Sequence, residues 1–124
     1  MSIVQAKNEM EAIKSLNEKV AGIVESGSNE NGSWVKFSDG TMICYGSTSA
    51  NANSDYYTLT FPCQFIDSNY SISITNIYSY SSNIIWNTGA LNPNNVILYP
   101  RIAGQATIPT VQTMATYTVI GRWK

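Results

Sequence analysis

The stretch from Asn76 to Arg101 collects side chains suited to holding a polyhydroxylated ligand. Aromatic rings cover apolar C–H patches of a sugar, while amides and a guanidinium exchange hydrogen bonds with its hydroxyls. The candidate set is Tyr78, Tyr80, Trp86, Asn87, Tyr99 and Arg101, in a segment that also holds Asn76, Asn92, Asn94 and Asn95. Along 96–102, the alternation of a strand turns Val96, Leu98 and Ile102 toward a core. Tyr99 and Arg101 then lie on the opposite face. Structural alternatives stand beside these roles. A Trp in a strand is more often core than platform, so Trp86 is the weaker candidate. Tyr78 and Tyr80, in a Ser-rich stretch, are the better surface residues. Arg101 has an ion pair with Asp67 or with a neighbouring subunit as its plain reading.

Covalent and acid–base chemistry find little to work with. The chain has no His, which removes Ser-His-Asp and Cys-His constellations and His-based metal sites. Glycoside hydrolysis needs two carboxylates across a cleft. Beyond residue 30 only Asp39, Asp55 and Asp67 are available, and Asp39 precedes Gly40 in a hairpin turn. Asn51, Asn53 and Asp55 have the one-three-five oxygen spacing of a calcium loop, but Tyr56 stands where such loops place Gly. A solvated polar loop fits better. No enzyme, cofactor or metal is expected.

Charge separates the chain into two parts. Residues 1–30 carry three Lys and five Glu, and everything after them only seven charges. Net charge is -1 and pI about 5.2, so the basic footprint of a nucleic-acid binder is missing. No apolar run reaches the ~18 residues of a membrane span, and membrane insertion is not expected. Cys44 and Cys63 have no framework spacing. With no secretory leader ahead of the first heptad, they read as reduced thiols of a protein made in a cytosol.

The elements follow from hydrophobic spacing. Ile3, Met10, Asn17 and Val24 at position a, with Ala6, Ile13 and Val20 at d, make a heptad stripe over residues 1–26. Leu16 and Ile23 at g widen it, and a wide stripe with β-branched a and d residues favours three strands over two. Met10, Ile13, Asn17, Val20 and Val24 are the expected trimerisation residues, Asn17 fixing register. The alternative is one amphipathic helix folded onto the rest. Residues 27–32 read as a Ser/Gly/Asn linker.

Residues 33–124 read as seven or so short antiparallel strands packed as a sandwich. Trp34–Phe37 and Thr41–Tyr45 flank Asp39-Gly40, a strong hairpin signal. Tyr57–Phe61, Tyr70–Thr75, Ile84–Asn87, Val96–Ile102 and Thr116–Trp123 follow. Residues 47–55 and 103–111 read as loops. Trp34, Phe61, Tyr117 and Trp123 are expected in the core or a subunit interface, and Arg122 in a structural ion pair.

The segment Asn31-Gly-Ser-Trp-Val-Lys-Phe-Ser-Asp-Gly-Thr-Met-Ile-Cys-Tyr-Gly46 resembles the opening of the C-terminal receptor-binding domains of bacteriophage tail fibres. Tyr-Thr-Leu-Thr-Phe-Pro62 and Ile120-Gly-Arg-Trp123 are similar to later parts of those domains. The resemblance covers residues 31–124, by pattern alone over 64–112. It implies a mainly β chain, an H-type-lectin-like antiparallel β-sandwich behind an N-terminal α-helix that forms a trimeric coiled coil. It further implies a homotrimeric tip of a phage fibre or of a phage-tail-like bacteriocin, joined to the rest of the fibre or a baseplate. Such a tip is made in the host cytoplasm, sits on the virion and binds host cell-surface polysaccharide outside the cell. The rival expectation is a structural trimerisation cap without a ligand of its own.

Overall fold

The computed structural model describes residues 3–19, 22–78 and 84–124, with backbone alone for 13–19 and 78. Among the described residues one helix, α1 (Ile3–Lys19), precedes eight strands. These are β1 (Ile23–Asn29), β2 (Gly32–Phe37), β3 (Thr41–Ala50), β4 (Tyr57–Thr60), β5 (Ser71–Tyr78), β6 (Ile84–Leu91), β7 (Asn95–Ile102) and β8 (Thr113–Arg122). Every pairing is antiparallel. One sheet runs β1-β2-β3-β8-β5 and the other β4-β7-β6.

The period-two pattern decides the layering. On β3, Met42, Cys44, Thr48 and Ala50 face inward, and on β8 Thr113, Ala115, Tyr117 and Val119 do so. On the opposing sheet Leu59, Val96, Leu98, Ile84 and Trp86 close the core. Phe61 and Phe65 meet edge to face at 5.4 Å, and Tyr70 stacks on Phe65 at 5.2 Å, plugging one end. Trp34 and Trp123 pack against the core from its margin. Cys44 and Cys63 are free thiols, and Cys44 is fully buried.

The β2–β3 hairpin turns as expected. The Asp39 carboxylate accepts the Thr41 N–H at 2.9 Å, and Gly40 takes φ +98°. That hydrogen bond favours the charged carboxylate and lowers its pKa. Arg122 differs from expectation: its guanidinium donates to the Asp39 carbonyl at 2.8 Å and to the Lys124 carbonyl at 3.2 Å. It ties backbone to backbone, with carbonyl oxygens as its partners.

Two expectations give way to longer strands. Residues 23–29, expected as helix end and linker, form β1 and pair with β2. The Gly that reads as linker is a packing requirement. A Cβ on Gly27 would stand 2.5 Å from the Trp34 ring. Asn29 takes the Asn31 N–H at 2.9 Å, closing a turn in which Gly32 adopts φ +140°. The described part of the helix runs to Lys19, and Val24 is a strand residue. β3 likewise runs on to Ala50, beyond the expected start of a polar loop, because the small Thr48 and Ala50 fit the core side of the sheet.

Candidate functional site

The outer face of the three-stranded sheet brings three of the expected ligand residues together. On β7, Tyr99 and Arg101 point away from the core, since Val96, Leu98 and Pro100 are buried. Asn87 on β6 is the direct cross-strand partner of Tyr99, and Ile85 that of Arg101. Direct antiparallel partners hold their Cβ atoms about 5 Å apart, so the four side chains make one patch.

Within the patch the Tyr99 ring packs on Gly89. A Cβ there would come within 2.4 Å of the ring, so the close approach depends on a bare backbone. The Arg101 guanidinium carbon lies 5.8 Å from the centre of the same ring. Arg101 donates at 2.8 Å to the carbonyls of Asp55 and Pro100, and its other terminal nitrogen meets the Asp55 carboxylate. The Arg101 side chain is 21% exposed and that of Asp55 65%. The partner of Arg101 is thus Asp55; Asp67 instead accepts the Asn69 N–H at 2.9 Å in a local turn.

Trp86 belongs to the core. It is 9% exposed, faces inward beside Ile84, and its indole N–H reaches the Asn76 side chain at 3.4 Å. Alternation explains this: Trp86 and Asn87 are neighbours and must occupy opposite faces. Tyr78 ends β5 opposite Met114. Tyr80 lies outside the described residues. Asp55 and Gly89 went unnoticed in the sequence as parts of this patch. Loop placement of Asp55 and the pairing register of Gly89 are properties of the tertiary fold, and neither leaves a local signal.

Three of the expected trimerisation residues, Met10, Ile13 and Asn17, lie on α1. Met10 is at 71% exposure, in a stripe with Ile3 at 89%. Val20 is outside the described residues, and Val24 is in β1. Among the described residues no group of three or more His, Cys, Asp or Glu is placed to hold a metal ion, and no helix is long and apolar enough to cross a membrane.

No protein-family model and no curated protein matches the sequence. Solved structures do. An N-truncated R1-type pyocin tail fibre superposes on 98% of this chain and 97% of its own, at TM-score 0.56 and 11% identity. The chain has the tail-fibre fold. Within that fold the same likeness recurs in longer pieces. A C-terminal part of the P. aeruginosa R1 pyocin fibre matches over 98% of this chain and 32% of that one, at TM-score 0.55 and 11% identity. A C-terminal part of the P. aeruginosa R2 pyocin fibre matches over 80% and 26%, at TM-score 0.53 and 12% identity. The chain spans under a third of those two fragments. At such identities the backbone of the tail-fibre fold is shared and the surface chemistry is this chain's own.

Proposed function

We propose that three copies of this chain form the tip of a tail fibre, in a phage or a phage-tail-like bacteriocin, and attach it to host cell-surface polysaccharide. The observation that carries the reading is the end-to-end match to a pyocin tail fibre, helix included. The exposed apolar stripe of Ile3 and Met10 supports assembly through α1, because such side chains gain most when a partner covers them. The sparsely charged, Asn- and Tyr-bearing outer face of β6 and β7 supports sugar contact. The role is binding without catalysis. Asp55 and Asp67 being held by Arg101 and by a backbone N–H agrees with that. Three identical weak sites would still anchor a particle firmly, since each bound site raises the effective concentration of the others. The protein acts outside the cell as part of a virion or tail-like particle, with the remaining fibre or baseplate as its partner.

Light scattering of the full chain tests assembly, and adsorption of labelled protein to intact and polysaccharide-stripped host cells tests attachment. The expected result is a trimer that binds the intact cells alone. A stable trimer that binds no host cell would leave the structural cap as the role, and a monomer at micromolar concentration would remove both.

A further inference from the structure

The Asp55–Arg101 pair costs the protein little to lose and yet is held by several bonds. An ion pair whose carboxylate is 65% exposed adds little to stability, so the sandwich does not depend on it. What the pair does is fix a hydrogen-bond donor beside an acceptor. The guanidinium has five N–H groups, and the bonds to Asp55 and Pro100 use three of them. The Asp55 carboxylate remains largely exposed. Next to this pair stands a half-buried tyrosine ring braced by Gly89, and across the strand an exposed amide, Asn87.

Those groups in that order match one ligand chemistry. Two adjacent ring hydroxyls of a pyranose can donate to a carboxylate and accept from a guanidinium at once. The C–H face of the same ring can rest on an aromatic side chain. The charges of Asp55 and Arg101 cancel. The pair therefore offers no net charge to draw in a carboxylated or an aminated sugar. We infer that the outer face of β6 and β7 binds a neutral pyranose through a vicinal pair of hydroxyls held between Asp55 and Arg101, with Tyr99 as the platform and Asn87 at the rim. This rests on the attachment reading above and narrows it to a ligand class and a face.

The test is an NMR titration of the full chain, amide signals assigned, with methyl glycosides of mannose, galactose and glucose, and with glucuronate and glucosamine as charged comparators. At least one neutral glycoside should move the Asn87, Gly89 and Tyr99 amides saturably, and the charged sugars should do so less. Asp55→Asn and Tyr99→Ala should each weaken that glycoside roughly tenfold, with the dichroism of the fold unchanged. The inference is overturned if none of the three glycosides moves these amides, if a charged sugar binds more tightly, or if both variants titrate like the parent. Host-cell adsorption is read separately. Undiminished adsorption of both variants, with glycoside binding weakened, keeps the site and places attachment on another face. A chain that titrates with the glycoside but ignores host cells keeps the site and removes the attachment role.

Discussion

The phenol of Tyr117 on β8 donates a 2.6 Å hydrogen bond to the backbone carbonyl of Asn31, 86 positions earlier. The contact joins the turn after β1 to a central strand, and two glycines make room for it. A Cβ on Gly32 would lie 2.4 Å from the Tyr117 oxygen, and one on Gly46 3.2 Å. Tyr117→Phe deletes the bond and leaves a carbonyl poorly satisfied. It should cost about 1–2 kcal/mol in denaturant unfolding. Gly32→Ala meets the same phenol and the Tyr45 carbonyl while holding a positive φ, and should be worse, at about 2–4 kcal/mol.

Alkaline pH should unfold the chain through two buried acids. Burial pushes the Tyr117 phenol up to about 12 from 10.0, and the Cys44 thiol up to about 12 from 9.0. Both groups hold their protons more tightly when folded, so the stability they favour is full below the unfolded values. It is then lost as pH rises from about 9 toward 12. Chemical denaturation between pH 8 and 12 reads this, using roughly one-unit steps. Cys44→Ala should shift the onset of the loss upward, toward the tyrosine value.

Trp86→Ala and Tyr99→Ala should separate folding from recognition. Trp86 fills the core, and its truncation should cost about 3–5 kcal/mol. Loss of binding in that variant would report unfolding. Tyr99 is on the outer face, so its truncation should change unfolding by about 1 kcal/mol or less and act on ligand affinity.

Thr48 and Thr113 carry buried hydroxyls without a hydrogen-bond partner among the described residues. They sit on the core sides of β3 and β8, near the Ala50–Thr113 pairing. Thr113→Val replaces the hydroxyl by a methyl of similar size. It should stabilise the fold by about 1 kcal/mol, measured as a higher denaturation midpoint with unchanged slope.

Met10→Lys should dissolve assembly without touching the sandwich. Met10 is exposed on α1 and is not part of the core. For the proposed trimer the expected outcome is a smaller particle by light scattering with the strand dichroism intact, because three lysines at one a layer would repel one another.

The strands of the sandwich were legible wherever apolar residues alternate at full length, as in 57–61, 96–102 and 116–123. The Asp39-Gly40 turn was legible because its chemistry is local. β1 was not, since Ser, Gly and Asn serve a linker and a Gly-packed strand equally well, and only the Trp34 ring distinguishes them. The placement of Tyr99 and Arg101 on one outer face came straight from the two-residue period. The same rule, applied to neighbouring Trp86 and Asn87, allows only one of that pair to join them. Asp55 as the partner of Arg101 was hidden by a separation of 46 residues.

β8 is the last strand in chain order, yet it lies between β3 and β5. Until it arrives, neither neighbour has anything to pair with along the edge it will occupy. β3 must then zip to a segment about 70 residues away, a loop closure that favours slow folding and leaves open edges meanwhile. A nascent chain of this kind cannot settle piecemeal. It should reach its final form only once β8 has emerged from the ribosome, and in a crowded cell that interval is when a helper protein or a neighbouring nascent copy would matter most.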